Sequence, residues 1–117
     1  KGITLKRVSE QWSAIQVKTD NYYKTEKIEL KKLGCPKSGW DSCWKRLVDV
    51  GILVLPDVSK VNCGEGALDG SSVVVETNTN RIYRTYIYGM SMSQKCNEVK
   101  QAMEIVSIID EEFGWED

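Results

Sequence analysis

The sequence predicts a single α+β domain over residues 1–117, in which an antiparallel sheet of about four strands packs against two helices on one face. Three observations lead to this fold class. Polar and apolar residues alternate in the N-terminal third and again around a turn near residue 79, which is the period of a β-strand. Apolar residues recur at helical spacing in two other stretches. No repeat, low-complexity tract or long linker divides the chain.

The N-terminal third is predicted to be strand. Residues 3–18 alternate in polarity, and Asp20-Asn21 is predicted to be a turn. Residues 22–33 follow, where apolar residues such as Leu30 alternate with lysines and glutamates. This pattern is typical of a strand with one solvated face.

The first helix is predicted to begin near Trp40, because apolar residues recur every three or four positions from there. Ser38 or Asp41 is expected to cap its N-terminus, and Gly51 is expected to end it. Pro56 prevents the helix from continuing.

The clearest local pattern predicts a β-hairpin over residues 73–88. A run of β-branched residues precedes Asn78-Thr79-Asn80, which has the composition of a turn, and a second β-rich segment follows it.

The last element is predicted to be a helix that Gly114 ends, after a capping box made by Ser91 and Gln94. Its apolar face is predicted to consist of Val99, Ala102, Val106, Ile109 and Phe113.

The predicted core joins the apolar faces of these helices and strands. It consists of Trp44, Leu47, Val48, Leu53, Leu55, Val73, Val75, Val99, Ala102, Val106, Ile109 and Phe113.

The four cysteines are Cys35, Cys43, Cys63 and Cys96, and the chain has no histidine. Their spacing contains no close pair of the kind that a structural zinc site or a redox dithiol uses. Two disulfides in an oxidising compartment are therefore expected, with four free thiols in a cytosolic protein as the alternative. Three connectivities are open. We favour Cys35–Cys43, which closes a short loop, together with Cys63–Cys96.

The first residue is Lys1 rather than methionine, which is consistent with removal of an export signal. The expected location is therefore extracytoplasmic, either periplasmic or secreted. No apolar stretch has the length of a membrane helix, although a lipid anchor upstream is compatible with the sequence.

The composition argues against most common catalytic chemistry. Without histidine, neither a Ser-His nor a Cys-His nucleophilic pair can form. No phosphate-binding glycine loop, calcium loop or metal-ligand spacing is present, so neither a cofactor nor a metal is expected. A small hydrolase using the carboxylates Glu65, Asp69 and Glu76 is the remaining catalytic alternative, and solvated charge explains those residues better. The protein is predicted not to be an enzyme.

Charge is distributed unevenly along the chain. Residues 1–60 hold 12 Lys/Arg and 7 Asp/Glu, a net of +5, whereas residues 61–117 hold 4 and 10, a net of −6. The total of −1 and the pI of about 5.6 argue against a nucleic-acid-binding protein. The acidic cluster at residues 110–112, with Glu116 and Asp117, is a candidate contact for a basic partner.

Alternating arginine and tyrosine residues on the second strand of the hairpin form a candidate binding surface. Arg84, Tyr86 and Tyr88 share one face, and Tyr83 and Ile87 lie on the other. Because Tyr and Arg are enriched at binding hot spots, we predict that Arg84, Tyr86 and Tyr88 face outward and bind a protein partner. The alternative is that tyrosines simply suit a strand whose face packs in the core. Stacking on single-stranded nucleic acid is not expected in so acidic a half of the chain.

A pattern of short motifs resembles a loose class of small uncharacterised bacterial proteins that are exported or lipid-anchored. The motifs are Leu55-Pro56-Asp57, Asp69-Gly70, Val75-Glu76, the tyrosine-rich segment 83–88 and the C-terminal helix. The resemblance spans residues 40–114 and implies a bacterial origin and an envelope location, with no established activity and no functional residues to transfer.

The sequence thus predicts a non-catalytic protein-binding module of the bacterial envelope, such as an inhibitor or an immunity protein. The alternative is a structural or accessory domain of a larger cell-surface assembly.

Overall fold

The structure is a computed structural model and describes residues 2–22, 25–61, 72–79, 81–89 and 96–114. These ranges confirm the α+β class. The elements are β1 (Gly2–Val8), β2 (Gln11–Tyr22), β3 (Thr25–Leu33), α1 (Trp40–Val50), β4 (Ser72–Thr79), β5 (Ile82–Gly89) and α2 (Asn97–Phe113). A short 3-10 turn at Val58–Lys60 follows α1.

The described strands form two antiparallel sheets, whereas one sheet was predicted. One sheet has the order β1-β2-β3, and the hairpin β4-β5 forms the other. The predicted turn at Asp20-Asn21 is wrong, because both residues belong to β2 and pair with Lys27 and Glu26 of β3. The ladder hydrogen bonds of a long hairpin outweigh the local turn preference of this dipeptide.

The turn between β1 and β2 was not predicted from the sequence. Ser9 and Glu10 have φ values of 49° and 65°, as a tight two-residue hairpin turn requires at both positions. Asparagine and glycine usually signal such a turn, and neither is present here. The turn places Arg7 directly opposite Trp12 in the ladder.

Helix α1 begins at Trp40 and ends at Gly51, as predicted. Gly51 has a φ of 105°, and its N–H donates to carbonyls of the last turn. A Cβ at Gly51 would lie 2.9 Å from Nε2 of Gln101, so both backbone conformation and space favour glycine. The predicted caps are wrong: the N-cap is Gly39, which has no side chain, and Ser38 instead donates to Glu112.

Helix α2 ends at Gly114, which has a φ of 62° and donates its N–H to the carbonyl of Asp110. The buried face is rotated from the predicted one, since Ile105 and Ile108 are buried and Val106 is only half-buried. Cys96 is the N-cap, and the predicted capping box falls outside the described residues.

The core lies between the two helices and the inner face of β4-β5. Its buried residues are Cys43, Leu47, Ile52, Leu55, Tyr86, Tyr88, Val99, Ala102, Ile105, Ile108 and Ile109. The prediction is confirmed for Leu47, Leu55, Val99, Ala102 and Ile109. It is wrong for Val48, which is 38% exposed.

The three-stranded sheet packs against the helices with one face only. On that inner face Ala14 is buried, and Trp12 contacts the rings of Trp40 and Trp44 in α1. Phe113 of α2 lies beside Leu33 on the same face. The opposite, outer face of the sheet therefore points away from both helices.

Candidate functional site

The predicted outward orientation of Arg84, Tyr86 and Tyr88 is wrong. Tyr86 is 2% exposed and Tyr88 is fully buried, whereas Tyr83 on the other face is 59% exposed. The two buried rings pack edge to face with centroids 6.0 Å apart, and the guanidinium of Arg84 lies 5.7 Å from the ring centre of Tyr86. This strand face meets the core rather than a partner.

The polar ends of these three side chains bind backbone carbonyls of the segment that follows α1. The Tyr86 hydroxyl donates to the carbonyl of Ile52 at 2.7 Å. Arg84 donates to the carbonyls of Leu53 and Leu55, and Tyr88 donates to that of Pro56. This segment is neither helix nor strand, so its partly buried carbonyls need donors from elsewhere.

A further hydrogen bond joins the same two parts of the chain, and here Asp57, which follows Pro56, supplies the side chain and β5 supplies the backbone group. Its carboxylate accepts hydrogen bonds from the side chain and N–H of Ser59 and from the N–H of Ile87. These bonds, that from the Ser59 side chain first, hold the pKa of Asp57 below its ordinary value. One sequence signal points to this contact: Gly51 and Pro56 enclose an apolar segment outside any helix or strand, so its carbonyls lack regular backbone partners.

The predicted disulfide between Cys35 and Cys43 is wrong, because both are free thiols. Cys43 is buried on the inner side of α1, while Cys35 is exposed in the preceding loop. Cys96 does not carry a free thiol, and Cys63 lies outside the described residues. The Cys63–Cys96 bridge stays a prediction.

We expect the two free thiols to react very differently with alkylating reagents. Burial first, and then the negative charge of Glu112, raise the pKa of Cys43 to about 11. At pH 8 only about one Cys43 in a thousand is then a thiolate, and that group is sheltered. Brief iodoacetamide treatment of the native protein, followed by peptide mass spectrometry, should find Cys35 modified and Cys43 intact.

Denaturant is the control for this labelling, since both cysteines should react once the chain is unfolded. If neither reacts before reduction and both react after it, the two are bridged in solution.

Glu112, one of the acidic residues predicted to contact a basic partner, is engaged within the protein, whereas Asp110 and Glu111 are exposed. Glu112 is only 4% exposed. One carboxylate oxygen accepts from the Ser38 hydroxyl at 2.6 Å, and the other accepts from Arg46 at 3.0 Å. Arg46 also bonds Glu111 at 2.7 Å. Glu116 and Asp117 lie outside the described residues.

The outer face of the three-stranded sheet carries a contiguous apolar surface. Val17 pairs directly with Leu30, and Ile15 and Ile28 flank that pair on the same face. Leu30 is 69% exposed, Ile28 61% and Ile15 41%. We call these four residues the outer-face patch. Exposed apolar side chains that lie singly need no explanation, but a contiguous group indicates a contact surface.

Lysines border the outer-face patch. Lys32 lies opposite Ile15 in the ladder, and Lys6 lies on the same face of β1; both are exposed. Residues 2–33 carry 7 Lys/Arg and 4 Asp/Glu, a net of +3. Helix α2 carries one lysine and five acidic residues, a net of −4. The N-terminal strand region is therefore net basic and α2 is net acidic.

A second surface feature lies where the β1–β2 turn meets the start of α1. A cavity of about 440 Å³ is lined there by Arg7, Glu10, Trp12, Trp40 and Asp41, which we call the tryptophan cleft. The Trp12 and Trp40 rings are parallel within 3°, with centroids 5.8 Å apart. The guanidinium of Arg7 lies 5.5 Å from the centre of the Trp12 ring.

The described ranges contain no group of three or more His, Cys, Asp or Glu residues that could hold a metal ion. Among the same residues, no helix has the length and apolar character needed to cross a membrane. Glu76 is exposed on β4, while Glu65 and Asp69, the other carboxylates considered for hydrolysis, fall outside the described residues.

No family model, curated protein or solved structure matches this chain.

Proposed function

We propose that the chain is a non-catalytic protein-binding module of the bacterial envelope, of the inhibitor or immunity type, and that its partner docks on the outer-face patch. The exposure of Ile28 and Leu30 is the observation that supports this most. Burying a side chain of this size stabilises a complex by about 1.5–3 kcal/mol, and within the described residues nothing covers either one. An apolar centre with a charged rim is the composition of a protein interface.

The partner surface is proposed to be acidic. Lys6 and Lys32 stand on the same face as the patch, so carboxylates of a partner would pair with them at the rim. Such rim charges accelerate association and fix the orientation of docking more than they add affinity. Binding should therefore slow as salt rises.

The envelope location is part of the proposal. It is supported by the cysteine content and by the resemblance to exported bacterial proteins. Fractionation of the source cells, with an antibody against the domain, tests it: recovery with the cytosol would contradict it.

We expect the double variant Ile28→Thr, Leu30→Thr to lose partner binding. Threonine is β-branched, which suits a strand, and it removes most of the apolar area, so the fold should remain. At a hot spot, each substitution should weaken binding by about 2 kcal/mol. The measurement is stoichiometric capture of one envelope protein by the tagged wild type, followed by calorimetry with that purified protein.

Val54→Thr and Ile82→Thr are matched controls, because these residues are 75% and 62% exposed at places away from the patch. Both should bind like the wild type. Equal binding by the double variant would rule out the patch as the docking site.

A structural or accessory domain of a larger assembly is the second candidate. One observation favours it: in the described sheets, β1 and β3 each pair on one side only, as do β4 and β5. Free strand edges can add a strand from another chain. Sedimentation of the isolated domain distinguishes the candidates. Self-association that the double variant leaves intact would support assembly through the strand edges, whereas self-association that the double variant abolishes would assign the patch to a second copy instead of an acidic partner.

A further inference from the structure

The edge of β3 that faces away from β2 is open. Among the described strands β3 pairs with β2 alone, and every residue from Ile28 to Lys32 is exposed. Because successive side chains of a strand alternate between its two faces, this run places both faces of β3 in solvent. A strand from another molecule therefore finds both sides of this edge clear.

The other described strand edges are less accessible. Ile3 and Leu5 of β1 pack against the core. On β5 the N–H of Ile87 donates to the carboxylate of Asp57, so this edge already has a partner there. Half-buried and exposed residues alternate along β4, which shows that one of its faces is covered. Strand addition is therefore best placed at β3.

The hairpin of β2 and β3 also has a reason to gain another strand. Gly2 pairs with Val17, and from there to Tyr22 the described partner of β2 is β3 alone. This part of the hairpin is thus a two-stranded ribbon. Such a ribbon is only marginally stable by itself, so strands added at its edge would stabilise it.

The charges on β3 restrict how two copies of this edge can pair. In an antiparallel pair with two-fold symmetry whose sheet is continuous, residues directly opposite lie on the same face, so the axis passes through one residue. An axis through a charged residue places that residue opposite its own copy, which is unfavourable. Between Glu26 and Lys32 the uncharged residues are Ile28 and Leu30. The charges therefore leave two registers for this edge.

An axis through Leu30 gives the better match of the two. Glu29 then lies opposite Lys31 of the second copy, and symmetry forms this favourable pair twice. Leu30 lies opposite its own copy, and Val17 is beside Leu30 in the ladder of each chain, so the apolar residues of both outer faces join in one row. An axis through Ile28 instead places Leu30 opposite a glutamate.

From these observations we propose that two copies of the chain pair antiparallel through β3, around a two-fold axis at Leu30, and form one continuous sheet. Backbone groups of each β3 bond those of the other, as in other cases of strand addition. This contact gives the strand-edge assembly of the second candidate function a defined edge and register. It goes beyond docking on the outer-face patch, because edge pairing leaves the outer face open and joins two patches side by side.

Sedimentation of the whole chain over a range of concentrations tests the dimer. We expect a species of twice the chain mass of 13.3 kDa. Its dissociation constant should be about 1–100 μM, since the contact is small compared with that of a permanent dimer. A wild type that stays monomeric at about 1 mM overturns the proposal.

Charge reversal tests the register. Glu29→Lys and Lys31→Glu should each weaken dimerisation about tenfold or more, because each places like charges opposite one another at two symmetric positions. An equimolar mixture of the two variants should dimerise again, since each reversed charge then meets the opposite charge on the other chain. Glu10→Lys, the same change at an exposed residue of the β1–β2 turn, should dimerise like the wild type. Circular dichroism checks the fold, because Glu29 also lies opposite Lys18 in its own hairpin.

Three results would contradict the proposal. Dimers of normal affinity in both single variants would place the contact elsewhere, and a mixture that stays monomeric would refute the Glu29–Lys31 pair. Restoration of Glu29→Lys dimers by Lys27→Glu, instead of by Lys31→Glu, would move the axis to Ile28. Docking on the outer-face patch is tested by other substitutions, so the failure of either proposal leaves the other standing.

Discussion

Tyr86→Ala and Tyr88→Ala are each expected to destabilise the folded domain by about 3–5 kcal/mol, the usual cost of removing a buried aromatic ring. Both rings lie in the core, and their packing edge to face adds to the loss. Each substitution also removes the hydrogen bond that a carbonyl of the 52–56 segment receives. Because a whole domain is stable by only about 5–15 kcal/mol, either variant should be marginally stable.

Tyr83→Ala is the matched control, since Tyr83 lies on the same strand and is 59% exposed. Its free energy of unfolding should stay within about 0.5 kcal/mol of the wild type. Tyr86→Phe separates packing from hydrogen bonding: it keeps the ring, leaves the Ile52 carbonyl without its donor and should cost about 1–3 kcal/mol. Urea unfolding followed by far-ultraviolet circular dichroism measures all of these values. If Tyr83→Ala proves the more damaging change, the orientation of β5 is reversed.

Glu112→Gln should destabilise the domain by about 2 kcal/mol, the next largest effect. The carboxylate joins the loop before α1 to the end of α2, because it accepts two hydrogen bonds from Ser38 and one from Arg46. Glutamine has nearly the same shape but no charge, and it replaces one acceptor by a donor. Hydrogen bonds to a charged group are the stronger kind, and a buried partner left unsatisfied adds to the cost.

This contribution should depend on pH in a defined direction. Burial alone would raise the pKa of Glu112, but the hydrogen bonds from Ser38 and the positive charge of Arg46 outweigh it and hold the pKa below its ordinary value of 4.5. A carboxyl whose pKa is lower in the folded state stabilises the protein above its unfolded pKa. That stabilisation is lost as pH falls through the folded pKa. The difference between wild type and Glu112→Gln should therefore be full near neutral pH and should shrink below about pH 4.5.

Glu111→Gln is the control for the effect of the Glu112 substitution. Glu111 also bonds Arg46, but its side chain is 62% exposed, so solvent screens the pair and its loss should be much less damaging. Urea unfolding at neutral and acid pH gives both comparisons. A difference between wild type and Glu112→Gln that stays constant with pH would show that the carboxylate charge contributes nothing.

Elements with strong local signals were predictable from the sequence. Helix α1 begins at Trp40 and ends at Gly51, helix α2 ends at Gly114, and the hairpin occupies β4 and β5, all as expected. Periodicity and glycine placement act within a few residues, so they can be read without the rest of the fold. The Ser9-Glu10 turn was missed because neither residue carries the usual turn signal.

The candidate sites were less predictable. Alternation correctly separated Tyr83 from Arg84, Tyr86 and Tyr88, but it could not tell which set faced the helices. The predicted hot spot was therefore assigned to the wrong face. The tryptophan cleft was not predicted, because its residues come from β1, its turn and α1 and meet only when the sheet packs on the helix.

The sequence by itself determined the α+β class, the C-terminal ends of both helices and the two faces of each strand, since these depend on side-chain period and on glycine conformation. Only the tertiary structure decided which face of β5 is buried: the carbonyls at residues 52–56 need donors, and Arg84, Tyr86 and Tyr88 are the residues that reach them. Likewise, Glu112 was predicted to lie on an acidic surface. In the structure it is buried and joins two parts of the chain, because Ser38 and Arg46, which are distant in sequence, both bond its carboxylate. Satisfying buried polar groups is a property of the assembled fold, and no local pattern encodes it.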